Sequence, residues 1–162
     1  VPIKQKEMRM ADQITKSIIV DGRPADVFNL WANFQNFPHF MKYVKSVVPT
    51  SDRASRWVVE GPLGQDVEWV AEITRFEPSQ RIGWSTKDRH DGSNVTTSGQ
   101  VTFAEVGSKQ TEVTVTMQYV APVGAVGEAV ARLFANPERR VEEDLNNFKK
   151  FAEGNLSRLT SM

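Results

Sequence analysis

Two stretches of strict alternation constrain the fold of this chain more than any other feature. In "DVEWVAEITRFE" (66–77), Val67, Trp69, Ala71 and Ile73 stand opposite Glu68, Glu72 and Thr74. In "QTEVTVTMQYV" (110–120), Val113, Val115, Met117 and Tyr119 stand opposite Glu112, Thr114, Thr116 and Gln118. A period of two puts these sets on opposite faces of a strand, one apolar and one wet. A sheet made this way needs a cover on one face only. Similar strand signals recur at 14–20, 43–50, 55–60, 81–86 and 96–106, divided by turn formers such as Gly61, Pro62, Pro78, Gly92 and Gly107. Gly99, Val101 and Phe103 continue the apolar face, and the spacing is that of an antiparallel meander.

After "APVGAVG" (121–127) the period becomes helical. Val126, Val130, Leu133 and Phe134, then Val141, Leu145, Phe148 and Ala152, form one apolar stripe over about seven turns of ~3.6 residues. Asn136 caps a new helix well and Pro137 suits its first position, so a kink or a one-residue restart is expected there. Gly154 is expected to end the helix. This element alone is long enough to cover the sheet, which is expected to wrap around it. Between the first strand and the meander, Pro24 and Asp26 signal a short helix carrying Val27, Trp31 and Phe34 on one stripe, and a second short helix is expected to restart at Pro38. The predicted fold class is α+β: a seven-stranded curved antiparallel sheet wrapped around a long kinked C-terminal helix, with two short helices after the first strand. Residues 1–13 read as a flexible arm, 14–156 as one domain and 157–162 as a flexible tail.

Composition narrows the function classes. At 162 residues the chain fits one domain. The absence of cysteine excludes disulfide frameworks, thiolate metal sites and thiol nucleophiles. Twenty basic and twenty acidic side chains cancel, leaving no long-range field to gather nucleic acid, so none is expected as a partner. The opening "VPIKQKEMRMADQ" begins at Val1 and has no apolar signal-peptide core, and no apolar run spans a bilayer, so a cytoplasmic location is expected. Two isolated histidines, His39 and His90, and carboxylates without ligand spacing predict no metal. "GAVGEA" lacks the dinucleotide fingerprint and reads as a hinge, so no cofactor is expected, and no activated-serine motif is present.

The stretch "VFNLWANFQNFPHFMKYV" (27–44) holds six of the fifteen aromatics. Phe28, Trp31 and Phe34 at helical spacing read as core. Phe37, Phe40, Met41 and Tyr43 follow the break and read as a cavity wall and lid. Trp69, Trp84, Phe103, Met117 and Tyr119 are expected to face the long helix. A core that only needs filling favours Leu, Ile and Val, whereas Trp and Tyr each bring a polar atom that wants a partner; a packed core and a ligand pocket both fit. His39, Tyr43 and Tyr119 are the candidates for proton transfer, although His39 has no evident carboxylate partner. Glu60, Glu68 and Glu72, and the charge-interleaved "ERRVEEDLNNFKK", read as solvated.

With "FPHFMKYVKSV", "RIGW", "SGQVTF", "TEVTVTMQYVAPVGAVGEAVARLF" and "NPERRVEEDLNNFKKFAE", the chain resembles the START-like, helix-grip superfamily over residues 14–153, and within it the polyketide cyclase/dehydrase-type branch related to coenzyme Q-binding proteins. The resemblance implies a cavity between the concave sheet and the long helix, with a mouth at 61–66, 121–127 and 36–43. The expected lining is Phe37, Phe40, Met41, Tyr43, Trp69, Trp84, Phe103, Met117, Tyr119, Val130, Leu133 and Phe134. The expected function is binding, carriage or sequestration of an apolar small molecule such as a lipid, quinone or polyketide. The alternative is a cyclase, aromatase or dehydratase acting in the same cavity. A third reading uses "NFPHFMKY" as an interfacial wedge against a membrane or a protein.

Overall fold

The computed structural model describes residues 11–60, 64, 66–86, 96–120 and 137–160. Seven strands form one curved half-barrel sheet: β1 (Ala11–Asp21), β2 (Val44–Pro49), β3 (Ala54–Glu60), β4 (Asp66–Glu77), β5 (Arg81–Thr86), β6 (Thr96–Gly107) and β7 (Gln110–Val120). Their order is β1-β7-β6-β5-β4-β3-β2, and every neighbouring pair is antiparallel. β2 to β7 are the meander that the alternation predicts. β1 and β2, successive in sequence, lie at opposite edges, so the chain between them crosses the whole sheet. Helix α1 (Pro24–Ala32) and a 3-10 helix (Phe34–His39) make that crossing, and α2 (Pro137–Thr160) follows β7.

Local chemistry explains most boundaries. Pro24 opens α1 after Arg23, with Asp26 in the first turn, where a missing N–H costs nothing and an anion meets the helix dipole favourably. α1 stops at Ala32, so Phe34 belongs to the 3-10 helix and not to the stripe of Val27 and Trp31. That second helix does not restart at Pro38, as expected from sequence, but contains it. Asn36 N–H donates to Asn33 O and Phe40 N–H to Phe37 O, and the donor missing at Pro38 falls between those two turns. β1 starts at Ala11, three residues inside the expected arm, because β7 runs to Val120 and offers Ala11–Gln13 a ladder to pair with. α2 passes through Gly154 to Thr160, four residues into the expected tail. Glycine costs a helix about 1 kcal/mol, but Leu156 beyond it packs against the core and favours continuation. The expected kink at Asn136–Pro137 and the stripe residues before it lie outside the described residues.

The faces follow the alternation. Trp69 and Ala71 of β4, Val101 and Phe103 of β6, and Val113 and Val115 of β7 are buried, while Glu68 and Glu72 are exposed. A bulge between Ile73 and Arg75 shifts the parity of β4, so Phe76 meets Phe28 of α1 edge-on at 5.4 Å. α2 lies along β1. Lys16 reaches Glu142 at 2.8 Å and Glu138 at 3.6 Å, and Lys149 donates to Ile19 O at 2.7 Å.

The interior is divided. One cluster joins α1, the 3-10 helix, α2 and strands β1, β2, β5, β6 and β7, with Trp31 4.9 Å from Phe148 and Phe40 5.0 Å from Phe148, ring centre to ring centre. A second, smaller cluster is built on Val59, Trp69 and Ala71. A domain of this size ordinarily has one contiguous core. The space between the two clusters is therefore the first place to look for a site.

Candidate functional site

A cavity of about 180 Å³ lies between the clusters. The sheet supplies its floor: Ser55, Trp57 and Val59 of β3, Trp69, Ala71 and Ile73 of β4, Ile82 and Trp84 of β5, Thr97 of β6, and Val115 and Met117 of β7. α2 supplies the roof with Arg140, Val141, Asp144 and Leu145, and the crossing segment closes one end with Trp31, Phe34, Phe37, Met41, Tyr43 and Val44. All four tryptophans of the chain line this one space.

Register places the rings. Trp57 and Trp69 are cross-strand partners and stack at 6.1 Å with 9° between planes. Trp57 Nε1–H donates to Ser55 Oγ at 3.1 Å, which settles one indole's polar atom within the wall. Trp84, Gly99 and Met117 stand side by side on β5, β6 and β7. A Cβ at Gly99 would stand 2.8 Å from the Trp84 ring and collide with Thr116 O. Glycine at 99 is thus what lets the indole lie across β6. Thr97 Oγ–H donates to Gln118 O at 3.1 Å, so its polarity is also turned into the wall.

One corner is polar. Arg140 lays its guanidinium 4.1 Å over the Tyr43 ring, a cation–π contact between roof and lid. Asp144 sits one turn further along α2, on the stripe of Val141, Leu145 and Phe148. Burial pushes its carboxyl up to about 7; the Arg140 cation holds it down and the Glu143 anion pushes it further up. A carboxyl poised there can give or take a proton near neutrality. Among the described residues no cluster of three or more His, Asp or Glu side chains is placed to hold a metal ion.

Of the residues singled out from sequence, Phe37, Met41, Tyr43, Trp69, Trp84 and Met117 line the cavity. Phe40 and Phe103 do not. Phe40 is packed between Trp31, Phe37, Phe148 and Phe151, and Phe103 against Phe28 and Trp31. Phe40 packs between α1 and α2 and Phe103 packs against α1, so both rings fill core. His39 is also absent from the cavity, being exposed and stacked on Phe151 at 5.6 Å. The Tyr119 side chain, Val130, Leu133, Phe134 and the loop 121–127 lie outside the described residues, as does most of 61–66. The apolar wedge expected of "NFPHFMKY" is not presented outward: Phe37 and Phe40 are buried, and its exposed members are Pro38, His39 and Lys42. No helix among the described residues is long and apolar enough to cross a membrane.

The sequence reading does not name the rest of the lining, and four of those residues are informative. Trp31 and Phe34, expected as core, also wall the cavity, because α1 ends at Ala32 and turns Phe34 toward Phe37. Arg140 and Asp144, expected in solvent, stand at the polar corner. The signal for the last two was present in the 3.6-residue period: 140, 141, 144, 145 and 148 share one face of a helix.

Comparison with known proteins agrees with this geometry. The chain is 30% identical over 141 residues to an uncharacterized 17.2 kDa protein of Streptomyces lincolnensis, an alignment covering 87% of this chain and 89% of that protein. It superposes on the Zhui aromatase/cyclase of a Streptomyces species with a TM-score of 0.73 at 17% identity, covering 90% of this chain and 96% of the other. It superposes on a START superfamily protein of Mycobacterium smegmatis with a TM-score of 0.65 at 14% identity, covering 91% and 98%. Both structures share the helix-grip α+β fold. Residues 20–148 match one family model, and the chain belongs to that family, polyketide cyclase / dehydrase and lipid transport.

Proposed function

We propose that the protein binds a flat, largely apolar small molecule in the cavity between the sheet and α2, and carries or sequesters it. The observation that supports this most is the convergence of all four tryptophans on one hollow that the two core clusters leave unfilled. Aromatic walls give large apolar contact at fixed geometry. Size bounds the guest: an apolar cavity of about 150 Å³ holds one benzene ring, so 180 Å³ accepts one ring or two fused rings, and a longer molecule must leave part of itself outside. A lipid tail, a quinone ring or one end of a polyketide all satisfy this.

A second reading is an enzyme of the cyclase or dehydratase kind, in keeping with the family and with the aromatase/cyclase that shares the fold. Asp144, raised to about 7 by burial, favours it as a proton carrier, and Tyr43 stands at the same corner. His39 is not among the residues that line the cavity.

Tryptophan emission tests the binding reading directly, because every emitter lines the hollow. Incubation with a lipophilic extract, followed by native mass spectrometry, is expected to give a discrete bound mass and a change in emission. A protein that stays empty, with unaltered emission across a panel of fused-ring compounds, would refute it.

A further inference from the structure

The rings of this protein are not all used alike. In the core they meet edge to face: Trp31 with Phe148 at 75° between planes, Trp31 with Phe37 at 70° and Phe28 with Phe103 at 71°. That geometry suits rings whose faces are electron-rich, because two negative faces repel in a sandwich while a negative face attracts a positive ring edge. Trp57 and Trp69 occupy each other at 6.1 Å. Trp84 is the exception among the tryptophans. It lines the hollow from β5, the central strand of the sheet, and no other ring among the described residues meets it.

Backbone register explains its posture. An inward side chain ordinarily stands roughly perpendicular to its sheet, which would carry the indole up toward α2. Instead, Cζ2 of the Trp84 ring lies 2.8 Å from the point where a Cβ of Gly99 would stand, on the neighbouring strand and at the height of a first side-chain atom. The indole therefore reclines across β6, in room that only a glycine leaves open. Val141 and Leu145 project from the roof on the other side of the hollow. A ring that lies down on the indole takes about 3.5 to 4 Å of the height between them, one layer of carbon contact; a ring standing on its edge takes more.

We propose that Trp84, laid down by Gly99, is the platform on which the guest stacks, and that the cavity for this reason selects flat rings with electron-poor faces. This rests on the ligand-binding reading above and adds the residue and the ring electronics that decide among guests of one shape. The face of an indole is negative. A ring whose π-density is drained by electron-withdrawing substituents is attracted when stacked on it, whereas an electron-rich ring of the same outline is repelled face to face and has to slide or tip. Tipping is how the core rings resolve the conflict, and the low space over a reclining indole disfavours it.

The test uses two guests of one outline and opposite face polarity, benzene and hexafluorobenzene, titrated by proton and fluorine NMR into the wild type, Trp84→Leu and Trp84→Phe. The wild type is expected to hold hexafluorobenzene more tightly, with NOEs from its fluorines to the Trp84 ring protons. Comparing the hexafluorobenzene-to-benzene affinity ratio between proteins cancels the difference in transfer from water. That ratio is expected to fall about two- to tenfold in Trp84→Leu, the worth of one aromatic pair beyond its contact area, and by less in Trp84→Phe, which keeps a smaller face. Should Trp84→Leu not fold, Trp84→Phe and the wild-type NOEs decide. A wild type that holds benzene as tightly, a ratio unchanged in the variants, or fluorine contacts that miss Trp84 each overturns the proposal, while saturable binding of either compound leaves the ligand-binding reading standing. Failure of both compounds to bind the wild type overturns that reading itself.

Discussion

Replacing Asp144 by asparagine is expected to stabilise the empty protein in mild alkali and to do little in acid. The carboxyl is raised from 3.8 to about 7. Between those values the native state holds a proton that the unfolded chain has already lost, so ν_U − ν_N is negative and stability falls as pH rises. The stability associated with the protonated form is complete below about 4, is lost through the interval, and is fully gone above about 7. Three pKa units at 1.36 kcal/mol each give an upper bound of about 4 kcal/mol, and about 3 kcal/mol falls between pH 4.5 and pH 8. Asparagine does not titrate, so urea melts of the two proteins are expected to diverge over that range by about 2 to 3 kcal/mol in favour of the variant. In thermal melts the same divergence is about 4 to 12 °C for a chain of this length. Comparing the two curves cancels the contribution of every other titrating group. Parallel curves for wild type and variant would refute the claim that desolvation raises the Asp144 carboxyl.

The remaining expectations follow from packing and charge. Arg140→Met removes the cation that holds the Asp144 carboxyl down, so its titration midpoint, read from the carboxyl carbon by NMR, moves upward; a downward move would show that burial is not the dominant cause. Phe148 is fully buried between Trp31 and Phe40, and Phe148→Ala is expected to cost about 3 to 5 kcal/mol in urea melts. Gly99→Ala drives a Cβ against Thr116 O and the Trp84 ring, so a loss of about 1 to 3 kcal/mol with altered Trp84 emission is expected, and an unperturbed variant would contradict the local geometry. Ala71→Leu grows into the hollow and not into packed core; it is expected to change stability by less than about 1.5 kcal/mol while abolishing naphthalene binding.

The fold was legible because the sheet is wet on one side. Glu68 and Glu72 against Trp69 and Ala71, or Glu112 and Thr114 against Val113 and Val115, announce both the strand and its facing, and such a sheet has to be covered by the one long amphipathic segment. Boundaries set by tertiary pairing were not legible. Ala11–Gln13 join β1 because β7 extends that far, and α2 outlasts Gly154 because Leu156 finds the core. In the site, the aromatic wall could be foreseen from Trp69, Trp84 and Met117. Phe40 and Phe103 could not be told from wall residues, since an inward-facing ring fills core or lines a void according to how far away the opposite layer sits. Arg140 and Asp144 were obscured by composition: inside a run of charged residues, two that share the apolar stripe look like their solvated neighbours unless the helical period is followed through them.

The central claim is a hollow between sheet and α2 that admits a flat guest. Intermolecular NOEs between naphthalene and the methyl-labelled protein test it most directly. Contacts from the ring protons to the methyls of Met41 and Met117 and to Ile82 and Val115, which line one end and the floor of the same space, are the predicted result. Saturable binding whose contacts fall only on exposed residues such as Val48 and Val106, or no binding at all, would contradict it.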